Sequence, residues 1–246
     1  MEIQVIPVQI SKDVEERDSL ADLLLSSPSK ITIQDEDIIV ITQKIISKQE
    51  GNIVNLSQVK PSLLATGIAS EYKKDPRIVQ LILEQTKRIV RMNNGIIIVE
   101  TPHGHVCANA GVDESNVKDG YVTLLPKNAD ESAKKLQEEI LKKTGKNIAV
   151  IISDTFGRPF REGQTNCAIG ISGIPAMTDY IGTKDTFGKT LHVTAMAIVD
   201  EICSATELVM GKALNTPIAI VRNYKFNNSS GSIKDLIRKR STDLFR

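Results

Sequence analysis

The sequence predicts an α/β fold of mixed α+β character, in which mixed sheets are flanked by helices. Three observations carry this prediction. Short β-branched runs such as Ile38–Thr42 and Pro217–Arg222 have the length and composition of buried core strands. Asp130–Lys143 is amphipathic, with acidic residues early and lysines late, the order the helix dipole favours. Strand-like and helix-like segments alternate irregularly, without a clean series of strand–helix–strand units and without an internal repeat.

The 246 residues can bury a large core as one big domain or two closely packed ones. A hydrophobic content of 41% and a charged content of 25% are ordinary for a globular chain. A formal net charge of +1 argues against a general nucleic-acid or membrane-surface role. Only Lys234–Arg240 is locally basic, and a solvated terminal helix accounts for it. No segment approaches the roughly 20 apolar residues needed to span a bilayer. The start, MEIQVIPVQI, has neither the charged region nor the cleavage site of a secretory signal. Cys107, Cys167 and Cys203 are far apart and form no C-x-x-C pair, so free, buried thiols in a reducing cytoplasm are expected. Without Trp, and with 4% aromatic residues, the chain offers no stacking platform for single strands.

In chain order, Ile3–Ile10 has strand propensity, and after a polar loop Asp18–Leu25 has helical spacing with Asp18 as its N-cap. Ile38–Thr42 is a strand followed by TQKIISKQEG, which places Lys44 and Lys48 four apart. Just past a strand end such lysines can reach phosphates as mobile point charges, although surface lysines are the commoner case. Ser57–Tyr72 and Asp75–Arg91 have helical spacing, and Asn93-Asn94-Gly95 is a turn leading to the strand Ile96–Glu100. Thr101–Asn116 is a loop rich in small residues that carries Asp113, Glu114 and Asn116; it either lets a ligand approach the backbone or merely caps turns. Tyr121–Leu125 is a strand, and Gly145 closes the helix of Asp130–Lys143. Cys167–Ile174 is a tightly packed strand with a bend. Thr190–Glu201 and Cys203–Met210 form a long helical region, Pro217–Arg222 is the last core strand, and Asn227–Ser232 is a linker to a terminal helix. The expected organisation is therefore a main domain over residues 1–226, divisible into two interwoven subdomains, with the linker and helix over 227–246.

The chemistry centres on Ile148–Arg161, IAVIISDTFGRPFR. An apolar run ending at Ser153-Asp154-Thr155 reads as a buried strand entering a loop, so that the Asp154 carboxylate and Thr155 hydroxyl emerge at a rigid edge. These are oxygen ligands for a hard cation, and Arg158 and Arg161 downstream are guanidinium forks for phosphate or carboxylate. A carboxylate that only caps a turn is the competing reading. Gly182–Thr190, GTKDTFGKT, is a near miss to the phosphate-binding loop: five residues stand between the first Gly and Gly-Lys-Thr, where the motif needs four.

VITQKIISKQEG (40–51), ANAGVDESN (108–116), ISDTFGRPFREG (152–163), AIGISGI (168–174) and DEICSATELVMGK (200–212) together resemble the coenzyme F(420)-0:L-glutamate ligase family, in that family's order. The resemblance runs to about Arg222. It implies a GTP-dependent amide ligase that adds L-glutamate to a deazaflavin coenzyme precursor, then a second glutamate through a gamma linkage. It further implies two divalent cations (magnesium or manganese), help from potassium, an intertwined homodimer, and an architecture outside the P-loop class. One cation falls to Asp113 and Asp154, the other to Thr155 and Glu207. GTP contacts fall to Gln43, Lys44, Lys48 and Asn116, and to the loop Ala205, Thr206, Glu207, Leu208, Val209, Met210, Gly211 and Lys212. The family's N-terminal Leu-Pro-x-Ile is replaced by Ser11-Lys12-Asp13-Val14, so any nucleotide contact there is expected mainly from the backbone. Charge alone directs Arg158 and Arg161 to the glutamate carboxylates and the precursor's phosphodiester. His103 and His105 are expected to be structural or to edge the substrate. Two other readings stay open: a related ligase with a different acidic acceptor, and a non-catalytic nucleotide-binding relative.

Overall fold

The computed structural model describes residues 2–227 and 229–244. Along the chain lie β1 (Gln4–Val8), α1 (Leu20–Leu25), β2 (Ile38–Thr42), α2 (Gln43–Gln49), β3 (Ile53–Asn55), α3 (Leu63–Tyr72) and α4 (Pro76–Glu84). Next come β4 (Arg88–Asn93), β5 (Ile96–Glu100), β6 (Val106–Ala108), β7 (Tyr121–Thr123) and α5 (Ala129–Thr144). The last are β8 (Ala149–Arg158), β9 (Arg161–Ser172), β10 (Thr178–Asp179), β11 (Ala195–Met196), α6 (Ile198–Met210) and β12 (Ile218–Arg222). The architecture is mixed α/β, as the residue pattern predicts.

The apolar runs pair into a five-stranded sheet of order β1-β12-β2-β8-β9, in which β2 and β8 are parallel and the other neighbours antiparallel. Its centre is buried on both faces, which is why Ile38–Ile41 of β2 and Ala149–Ile152 of β8 are continuously apolar rather than alternating. Strand geometry divides their residues between the faces. Ile39, Ile41, Val150 and Ile152 pack with α1, α2 and α5, while Ile38, Val40, Ala149 and Ile151 pack with α6. Where β2 begins and β12 ends, Asp37 is 1% exposed and its carboxylate receives Arg222 Nε at 2.8 Å and Nη2 at 2.7 Å.

Residues 53–123 form a second layer with its own core of Ala65, Ala69, Val79, Ile82, Ile97 and Val99. It consists of α3, α4, the antiparallel sheet β4-β5-β6 and the pair β3-β7. Its elements depart from the expected ones. The helix expected over Ser57–Tyr72 begins only at Leu63, capped by Ser62, because Pro61 interrupts the pattern. The helix expected over Asp75–Arg91 ends at Glu84, and Ile89 pairs with Val99 across an Asn94-Gly95 turn whose φ angles are +47° and +76°.

Further differences have local causes. Ser19, not Asp18, caps α1 through its accepted bond from Asp22 N; Asp18 accepts from Glu15 N and pairs with Lys12 instead. The strand expected to give way to a loop at Ser153-Asp154-Thr155 runs on to Arg158 and returns as β9, making a long hairpin with Pro159-Phe160 at its tip. Thr190–Ala197 is not helical: Thr190 bridges Lys184, β11 pairs with β10, and α6 starts at Ile198. The C-terminal segment is not a helix but two 3-10 turns, Ile233–Leu236 and Arg240–Thr242, pinned where the Asp130 carboxylate accepts Ser232 Oγ at 2.8 Å. Asn228 of the expected linker, and Phe245 and Arg246 of the expected helix, lie outside the described residues, as does Met1.

Candidate functional site

The parallel pairing of β2 with β8 builds the site. Thr42 lies opposite Ser153, so the first turn of α2 leaves β2 beside Asp154 and Thr155. Carboxyl ends of adjacent parallel strands are where α/β sheets bind ligands. On β9 the register shifts between Ile152 and Ser153, a bulge that re-aims the residues after it and sets Thr155 opposite Asn166. Gly170 beside this bulge has no room for a side chain: a Cβ there would fall 2.4 Å from the Ala129 backbone. Mutual backbone bonds tie the loop carrying Asp113 to Thr123 of β7, and Lys44 at the start of α2 reaches its carboxylate. The result is a cleft of about 1240 Å³ lined by residues from β2, α2, β8, β9 and α6 and by three loops, around Asp13, Asp113 and Lys212.

Two charged networks meet in it. Lys44 Nζ donates to Asp113 Oδ2 at 2.7 Å and to Ser115 Oγ at 2.5 Å, and Ser115 N donates back to Asp113 Oδ1 at 2.8 Å. On the other side, Lys212 Nζ reaches Thr155 Oγ1 at 2.8 Å, Glu207 Oε1 at 3.0 Å and Asn166 Oδ1 at 3.2 Å. Asn166 Nδ2 donates to Glu207 Oε2, and Thr155 Oγ1 donates to Asn166 Oδ1, both at 2.8 Å. Asp154 is positioned between the networks, close enough to feel Asp113, Lys44 and Lys212. Burial pushes its carboxyl up to about 6 and the negative charge of Asp113 adds to this, while the Thr155 N–H and the two lysines oppose it. Burial also raises Asp113, but the bonds from Lys44 and Ser115 outweigh it and hold that carboxyl below the ordinary value.

Of the residues singled out in the sequence, Gln43, Lys44, Lys48, Asp113, Asn116, Asp154, Thr155, Glu207, Gly211 and Lys212 line this one cleft. Ala205, Thr206, Leu208, Val209 and Met210 do not. They lie on α6, whose 3.6-residue turn presents only Glu207 to the cleft: Thr206 and Met210 are buried, and Leu208 is exposed. Arg158 and Arg161 lie opposite each other at the exposed hairpin tip, outside the cleft, where Arg158 donates to the carbonyls of Glu162 and Gly163. His103 and His105 border a separate cavity of about 40 Å³; His105 meets Phe156 edge-on at 6.2 Å, and burial lowers its pKa. Asn166 and Ser115 are not among the residues the sequence singles out. Asp13 engages Lys48 through its carboxylate, where a backbone role was expected of that loop.

The cleft's donor set is all oxygen around Asp113, Asp154, Thr155 and Glu207, which suits a hard divalent cation. Among the described residues no three His, Cys, Asp or Glu side chains converge on one point, so such a cation would need further oxygens from a ligand or water.

A sequence model of the family described as "F420-0:Gamma-glutamyl ligase" matches residues 10–223. The chain is 47% identical over 234 residues to the protein named coenzyme F420:L-glutamate ligase from Methanocaldococcus jannaschii, covering 94% of this chain and 91% of that one. It is 43% identical to the protein of the same name from Methanothermobacter thermautotrophicus, over the full length of both. The Archaeoglobus fulgidus protein of that name is 38% identical, covering all of this chain and 97% of that one.

Proposed function

The chain belongs to the F420-0:gamma-glutamyl ligase family, and we propose that it is a GTP-dependent ligase joining L-glutamate to the deazaflavin coenzyme F(420) precursor, then a second glutamate through a gamma linkage. The observation that carries this is the meeting of Lys44, Lys48 and Lys212 with Asp113, Asp154 and Glu207 in one cleft. A carboxylate does not condense with an amine until its oxygen becomes a leaving group. In the proposed sequence the precursor carboxylate attacks the γ-phosphorus of GTP, and the bond to the β-phosphate oxygen breaks with its electron pair passing to GDP. The glutamate amine then attacks the acyl carbon. Phosphate leaves with the C–O bond pair, the amine proton passes to solvent, and the products are the amide, GDP and phosphate.

Phosphoryl transfer asks a protein mainly to position groups and to offset charge. Lys44 and Lys48, four residues apart on α2, would flank the nucleotide phosphates as point charges. Lys212, held by Thr155, Asn166 and Glu207, would offset charge from the opposite wall. Divalent cations, magnesium or manganese, would be held by Asp113 with Asp154 and by Thr155 with Glu207, and would supply further neutralisation of the phosphates. Potassium follows from the family resemblance, and no residue is assigned to it. A homodimer likewise follows from the family resemblance.

Phosphate release from GTP, followed with and without L-glutamate and the precursor, tests the proposal. Release that needs both supports it. Release that needs neither, or that occurs only with another acceptor, contradicts it. No helix among the described residues is long and apolar enough to cross a membrane.

A further inference from the structure

Lys48 is the most enclosed charged residue among those described in the cleft, at 6% exposure. An ammonium this desolvated requires an anion. The anion it has is not a neighbour on α2 but Asp13 Oδ1, at 2.7 Å, on a side chain that is itself 78% exposed. The pairing is set by the backbone around it. Val14 is 3% exposed in the core, Arg17 N donates to Gln49 O at the end of α2, and Lys12 pairs with Asp18. The loop is thus pinned to the same helix that carries Lys48, and Asp13 overhangs the cleft it lines.

A carboxylate oxygen and a phosphate oxygen make the same kind of charge-assisted bond to an ammonium. Resting on the reading of the cleft as a nucleotide site, we propose that Asp13 is a tethered anion that occupies the phosphate position of Lys48 and yields it to the nucleotide on binding, so that Asp13 sets nucleotide affinity. The carboxylate offsets the buried charge while the cleft is empty, and it must leave before a phosphate can take its place.

Calorimetric titration of a non-hydrolysable GTP analogue with magnesium tests this on wild type, Asp13→Asn, Lys48→Met and the double variant. Asn keeps the Oδ1 acceptor that receives Val14 N at 2.9 Å, so the loop retains its turn. Asp13→Asn is expected to bind roughly two- to five-fold more tightly, the range of a pair with one exposed partner. Lys48→Met is expected to bind more weakly, and the double variant to match Lys48→Met alone. Unchanged or weaker binding by Asp13→Asn overturns the proposal. Equal tightening in the Lys48→Met background also overturns it, because Asp13 would then act as a general repulsive charge. If Lys48→Met alone leaves affinity unchanged, the nucleotide reading of Lys48 fails first and the role of Asp13 falls with it.

Discussion

Replacing Asp154 by Asn is expected to make the metal-free protein more stable while abolishing turnover. The Asp154 carboxyl is raised from 3.8 to about 6 by burial and by Asp113, so holding it ionised in the folded state at neutral pH costs up to about 3 kcal/mol. Solvent reaches part of this half-buried group, which lowers the expected gain to about 1–3 kcal/mol. The sign follows from proton uptake. Between 3.8 and about 6 the folded protein binds more protons at this group than the unfolded chain, so its contribution to stability is full below that window and is lost as pH rises through it. Urea denaturation of wild type and Asp154→Asn with chelator, at pH 4 and at pH 7.5, reads this directly. The variant should exceed wild type at pH 7.5 and the gap should narrow at pH 4. Magnesium should then stabilise wild type more than the variant. Equal stability at pH 7.5, or a gap that does not change with pH, would refute the electrostatic account of this position.

Two further predictions concern the frame that holds the site. Arg222→Ala leaves Asp37 charged, buried and without its guanidinium partner where β2 begins, and should cost about 3–5 kcal/mol in chemical denaturation. Gly170→Ala forces a methyl group into the Ala129 backbone beside the bulge, and should cost about 1–3 kcal/mol by the same measurement.

The central sheet was legible because its strands are buried on both faces: continuous β-branched runs such as Ile38–Thr42 leave little choice of partner or environment. Helix α5 was legible because its acidic first turn, its late lysines and Gly145 agree; the structure adds Asn128 as its N-cap. Arg88–Arg91, within the expected helix, is strand instead: Ile89 fits a helical stripe as well as a strand, and only pairing with Ile96–Glu100 decides between them. The same limit applies in the cleft. Asp113, Asp154 and Glu207 stand out by chemical type within recognisable segments. Asn166 becomes a partner of Thr155 and Glu207 only through the register of β8 with β9, which a bulge shifts. Asp13 meets Lys48 across 35 residues, a contact no local pattern encodes. Within Ala205–Lys212, only Glu207, Gly211 and Lys212 line the cleft, because the turn of α6 carries Thr206 and Met210 into the core.

The most direct test of the ligase assignment is the mass of the product formed from the deazaflavin precursor, L-glutamate, GTP and magnesium, read beside phosphate release. The expected product is a precursor heavier by one glutamyl residue for each phosphate released, then a species heavier by a second. Phosphate released with the precursor mass unchanged would contradict it.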